Sequence, residues 1–158
     1  MLGGLSEESI LDHINVESMS ADFVLVDLEG SANNAVTYAC ARSDLVIVPA
    51  QASGLDVQEA RRSLALLARS GQVVGREIPG RVLLSKTPVL PTRAVKHARA
   101  QLERAGARVL VTELMERTAF REMTFHGRTP AEVEPDGGAA ANVSALTREV
   151  LDVIAGKA

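Results

Sequence analysis

The sequence predicts an α/β fold: a three-layer, doubly wound and mainly parallel sheet. Three observations predict it. Short aliphatic runs alternate with longer amphipathic stretches, the pattern of repeated strand–helix–strand units. The run Leu45-Val46-Ile47-Val48 is apolar at every position, as a strand covered by helices on both faces requires. Aromatic residues make up only 3% of the chain, so the interior has to be built from Val, Leu, Ile and Ala. At 158 residues the chain is expected to form a single domain over 1–158.

The elements follow in order. Leu5-Ser6-Glu7-Glu8-Ser9-Ile10 has the form of a helix start. Ser6 offers a capping oxygen, Glu7 and Glu8 suit the positive end of the dipole, and Leu5 can staple onto Ile10. Phe23–Val26 reads as a strand ending at Asp27, followed by a helix over Ala32–Arg42. Leu45–Val48 is the second strand, stopped by Pro49. Ser53-Gly54-Leu55-Asp56 matches a capping box, and the helix after it places Val57, Ala60, Leu64 and Leu67 on one stripe. Arg81–Ser85 is the third strand. Thr92–Ala105 is an amphipathic helix with Val95, Ala98, Leu102 and Ala105 inward and Gly106 as its C-cap. Arg108–Val111 is the fourth strand. After a turn-rich stretch around Pro130–Gly138, the last helix carries Val143, Leu146, Val150 and Ile154.

Composition narrows the function classes. No apolar run approaches the ~18 residues of a membrane span, and the stretch MLGGLSEESI has neither the basic nor the apolar block of a signal peptide. The single Cys40 has no internal partner and sits in an apolar helix stretch, where packing explains it; a reducing cytoplasm is the simplest compartment. His13, His97 and His126 show no ligand spacing with one another or with Cys40. The net charge of −3 is uneven: residues 1–75 carry −6, residues 76–108 carry +6 and residues 109–158 carry −3. A basic middle between acidic ends fits an anionic partner on one face, or an ordinary solvated surface.

In a doubly wound sheet, ligands sit at the carboxyl ends of the strands. Asp27, the Pro49–Ser53 turn and the Ser85–Pro88 turn all fall there. The order FVLVDLEG, SDLVIVPAQASGLDVQEA, RVLLSKTP and ELMERTAFREMTFHG resembles the ParA/MinD family of deviant P-loop ATPases. Within that family it resembles the ParA-like proteins of bacterial plasmids, some of them tied to conjugal or T-DNA transfer. The similarity runs from about Ser6 to the C-terminus.

The resemblance implies a P-loop-NTPase-like fold and the following roles. Asp27 is the Walker B carboxylate beside the water shell of Mg²⁺, once nucleotide is bound. Gly30 offers backbone near the γ-phosphate, and Ser85 and Lys86 lie near the base. Two positions depart from the family pattern: Leu28-Glu29 replaces a proline-containing turn, and Ser85-Lys86 replaces an Asn-Arg pair. The family uses ATP and Mg²⁺, forms an ATP-sandwiched homodimer, and binds DNA without sequence specificity. It also meets a centromere-binding or transfer partner protein. Arg93, Lys96, Arg99 and Arg104 are the residues here that would contact DNA phosphates. The implied location is the bacterial cytoplasm, with nucleoid association and no membrane.

The family's glycine-rich phosphate loop is not found in these residues. Gly71–Arg76 is one residue short of the G-x-x-x-x-G-K-[ST] pattern and has Arg in place of Lys. The expectation is therefore that the chain alone holds no cofactor and does not hydrolyse ATP, since phosphoryl transfer depends on positioning and charge stabilisation. Losing the strand beside Asp27 would expose strand edges, so the chain is expected to re-pair or dimerise. Other readings stay open. Asp27 can be a capping carboxylate, Glu29 a base or a solvated turn residue, and the basic helix a solvated face. The chain can also be a non-enzymatic DNA- or partner-binding module. A receiver-type phospho-acceptor domain would use Asp27 and Lys86-Thr87-Pro88, but it needs an acidic pair that no strand upstream of Phe23 supplies.

Overall fold

The structure is a computed structural model that describes residues 9–28 and 34–157. The element order is α1 (Ile10–Ser18), α2 (Asn34–Arg42), β1 (Val46–Ala50), α3 (Gly54–Val74), β2 (Gly80–Thr87), α4 (Arg93–Arg104), β3 (Leu114–Met115), α5 (Thr118–His126), α6 (Pro130–Val133) and α7 (Gly138–Ile154). The strands form one sheet in the order β1-β2-β3. β2 and β3 are parallel. On the other side, Val46 bonds Pro79 and Ser85 bonds Ala50, so β1 and β2 also advance together. The expected α/β class with a parallel sheet and flanking helices is what forms.

The chain divides into two compact units, one of residues 1–46 and 65–79, the other of residues 47–64 and 80–158. In the first, α1 packs on α2, and Arg42 reaches Asn15 Oδ1 at 2.7 Å. Its apolar cluster joins Cys40, Leu67 and Ile78, with Val36 and Val46 against them. Gly71 lies inside α3, where a Cβ would meet the Arg76 carbonyl at 2.7 Å. Arg76 itself donates to the Ala41 and Ser43 carbonyls. The glycines and arginine of the 71–76 stretch thus close the end of α3.

In the second unit, one half of the expected capping box forms at the start of α3: Asp56 N–H donates to Ser53 Oγ at 3.1 Å, while the Asp56 carboxylate meets the Ser53 hydroxyl and the Ser53 N–H turns to the Gln51 carbonyl. β2 supplies the densest burial, with Val82, Leu83 and Leu84 all buried, and α4 packs on it through Val95, Ala98 and Leu102. β1 extends through Pro49, the expected stop of the strand; an edge strand tolerates a residue without an N–H.

Three expectations are corrected. Phe23–Val26 forms no strand; Phe23 is 63% exposed and Leu25 96%, because no described strand pairs with this segment. Arg108–Val111 contributes only one bridge, Val82 to Val109, and the strand proper lies at Leu114–Met115. The register explains this. Val82 pairs with Val109 and Ser85 with Leu114, so three steps on β2 match five on the partner, and two residues bulge out. Ala105, expected inward on α4, caps its end and is exposed. The last helix forms as expected, and on it Val143 and Ile154 are 40% and 46% exposed, whereas Asn142 is buried.

Candidate functional site

The second unit brings most of the candidate residues to the strand carboxyl ends and to α4. At the end of β2, Ser85 Oγ donates to the Ala50 carbonyl at 3.5 Å, tying the ends of β1 and β2 together. Lys86 follows with φ of 50°, a left-handed conformation that non-glycine residues rarely hold and that tends to occur at functional turns. Its ammonium is exposed. Bonding from Ser53 holds the Asp56 carboxyl below the usual carboxylate range, and Lys86 adds a smaller electrostatic pull.

Two buried polar atoms, one at the end of β2 and one at the N-cap of α5, also lie in the second unit. Thr87 is 1% exposed, and its Oγ1 has no hydrogen-bond partner among the described residues; the same holds for Arg117 Nε. Arg117 Nη1 lies so close to the start of α7 that a Cβ on Gly138 would come within 2.6 Å of it. Thr87 was visible only as the middle of Lys86-Thr87-Pro88, and nothing in the local pattern marks Arg117.

Helix α4 begins at Thr92, whose side chain accepts from Val95 N–H at 3.4 Å. Arg93, Lys96 and Arg104 are exposed and share the face away from Val95, Ala98 and Leu102. His97 lies on the same face, its Nε2 2.7 Å from the Gln101 amide. The first turn of α4 holds no acidic residue. A helix dipole favours acidic groups there, so Arg93 and Lys96 are placed against the helix's own electrostatic preference. Over the eleven steps from Arg93 to Arg104 the stripe extends ~16 Å.

Arg99 is placed differently. Its guanidinium donates to the Leu110 carbonyl at 2.8 Å and the Val111 carbonyl at 3.4 Å, and pairs with Glu113 at 3.0 Å. From the other side of the bulge, Glu149 accepts from Val111 N–H at 2.6 Å and Thr112 N–H at 2.7 Å. Asn142 accepts from Met115 N–H at 2.9 Å and donates to the Glu113 carbonyl at 2.8 Å. Side chains of α4 and α7 thus replace the ladder partners that residues 110–115 lose.

Asp27 lies in the first unit, exposed, in a stretch without regular secondary structure. Gly30 and Glu29 lie outside the described residues. A lone exposed carboxylate supplies one ligand of the one or two that hold a nucleotide-bound Mg²⁺, and the rest of that shell comes from water and phosphate. Among the described residues there is no group of three or more His, Cys, Asp or Glu that could hold a metal ion. The described residues do not by themselves fit a nucleotide–Mg²⁺ complex. No helix among them is long and apolar enough to cross a membrane.

No protein-family model matches the chain. The chain is similar to a protein named Protein ParA from Rhizobium radiobacter, with 28% identity over 144 residues. The match covers 90% of this chain and 65% of that protein, so the chain spans just under two-thirds of its relative's length.

Proposed function

We propose that this chain is the part of a ParA-like partitioning or DNA-transfer ATPase that carries the Walker B carboxylate and the DNA-binding face. The observation that carries the reading is the similarity to Protein ParA over 90% of the chain. The parallel sheet and the exposed α4 stripe support it. In this reading Asp27 faces the Mg²⁺ shell of bound ATP in the whole protein, with Gly30 beside the γ-phosphate. Ser85 and Lys86 approach the base. The carboxyl end of β2, with the left-handed Lys86 and a Thr87 hydroxyl that has no partner among the described residues, supports a ligand there.

Arg93, Lys96 and Arg104 are the DNA contacts. Three cations on one helix face neutralise phosphates without reading bases, and no aromatic residue interleaves them for stacking. The whole protein is a bacterial cytoplasmic homodimer that associates with the nucleoid and a centromere-binding or transfer partner. The 158 residues alone bind no ATP, because they contain no phosphate-cradling glycine loop. A second reading, a DNA- or partner-binding module without catalysis, is favoured by that same feature.

The test is anisotropy of labelled duplexes of unrelated sequence, titrated with the chain between about 50 and 200 mM salt. Three phosphate contacts give equal affinities and a slope of log K on log salt of about −2.7. Absent or salt-independent binding refutes the DNA face. A fluorescent ATP analogue with Mg²⁺ tests the rest. Tight binding to the 158-residue chain that is lost in Asp27→Ala would refute the claim that the phosphate grip lies outside it.

A further inference from the structure

Four basic residues lie on α4, yet the structure separates one from the others. We infer that Arg99 is a positioning residue that straps α4 to the bulged 110–113 segment, rather than a phosphate contact of the basic stripe. The inference rests on the DNA reading of α4 and narrows which side chains carry it.

Helical geometry and bonding both support the separation. Each three-residue step turns the helix by 300°, so residues 93, 96 and 99 drift by about 60° per step. Arg99 is therefore carried about 120° from Arg93, onto the flank beside the buried Val95 and Leu102. There the side chain is 23% exposed and its fork is occupied by two carbonyls and a carboxylate. A guanidinium engaged on two carbonyls and a carboxylate has three of its five N–H donors committed and its charge already paired, which makes it a poor phosphate contact. Glu113 in turn has its backbone carbonyl held by Asn142. The strap thus fixes α4 against a segment that α7 also holds, and sets the angle at which Arg93, Lys96 and Arg104 are presented.

The two roles predict opposite results from the full chain. Duplex binding is measured across salt at a temperature well below melting, together with Tm, for Lys96→Gln, Arg99→Gln and Arg99→Lys. Lys96→Gln, a phosphate contact, lowers the salt slope by about 0.9 and leaves Tm unchanged. As a strap, Arg99→Gln lowers Tm by about 2–6 °C and weakens binding at fixed salt, with the slope unchanged. Arg99→Lys keeps the charge but loses the fork, so it fails to restore Tm or affinity. If Arg99→Gln lowers the slope as Lys96→Gln does and keeps its Tm, or if Arg99→Lys restores wild-type behaviour, the inference is overturned. If Arg99→Gln does not fold, Arg99→Lys decides by the same criteria. If the wild-type chain binds no DNA, the DNA reading fails. The strap then stands on a Tm loss in Arg99→Lys and falls without one.

Discussion

Replacing Glu149 with alanine removes the single carboxylate that satisfies both Val111 N–H and Thr112 N–H. Charge-assisted bonds of this kind contribute about 1.5–3 kcal/mol each when buried. Glu149 is only partly buried, so water recovers much of that once the carboxylate is gone. A net loss of about 1–2 kcal/mol follows, which for a chain of this size lowers Tm by about 2–8 °C. Glu149→Gln keeps one acceptor oxygen and falls between the two.

The pH dependence is more diagnostic. Burial works against ionisation of Glu149, but the bonds from Thr112 and Val111 outweigh it and hold its carboxyl below the usual range. A carboxyl lowered in the folded state contributes fully above its unfolded value of about 4.3 and loses that contribution as pH falls through the lower folded value. Thermal melts of wild type and Glu149→Gln from pH 7 downward therefore converge in the acid range below about pH 4. Equal Tm values at pH 7, or a gap that persists undiminished at pH 3, would refute the clasp. Hydrogen exchange gives a local check: the Val111 and Thr112 amides lose protection in Glu149→Ala.

Two further substitutions test the fold. Gly71→Ala drives a Cβ into the Arg76 carbonyl at 2.7 Å, and chemical denaturation should show a loss of about 1–3 kcal/mol, the range for overpacking. Leu25→Lys, at a residue 96% exposed, should change stability by no more than about 0.5 kcal/mol by the same assay; a large loss would mean that this segment pairs in solution.

What the sequence revealed depended on how local the cause was. The Ser53–Asp56 cap, the buried face of α4 and the core strand β2 rest on patterns contained within a few residues, and each formed where it was read. Phe23–Val26 has strand-forming residues, but a strand also needs a neighbour, and composition carries no record of one. α7 was read by its aliphatic spacing. Its inward side instead includes Asn142, and Glu149 also turns to the bulge, whose unpaired backbone groups need polar partners. That need arises from a register slip between β2 and β3, which no single segment of sequence displays. Helical geometry alone sets Arg99 apart, since a spacing of three drifts around a helix of 3.6 residues per turn. For the candidate site, the α4 stripe was legible as a charge pattern, whereas the buried Thr87 and Arg117 atoms emerged only from packing.

The polar clasp also bears on solubility. A strand at the margin of a sheet invites another chain to extend the ladder, the common first step of edge-to-edge aggregation. Around β3 the Val111, Thr112 and Met115 N–H groups and the Val111 and Glu113 carbonyls already have side-chain partners, so an incoming strand would find those positions of the ladder taken. At the other margin, Pro49 removes a donor from β1. Two unrelated devices therefore guard the two margins of one small sheet, and loosening either would show first as concentration-dependent turbidity rather than as a change in the fold.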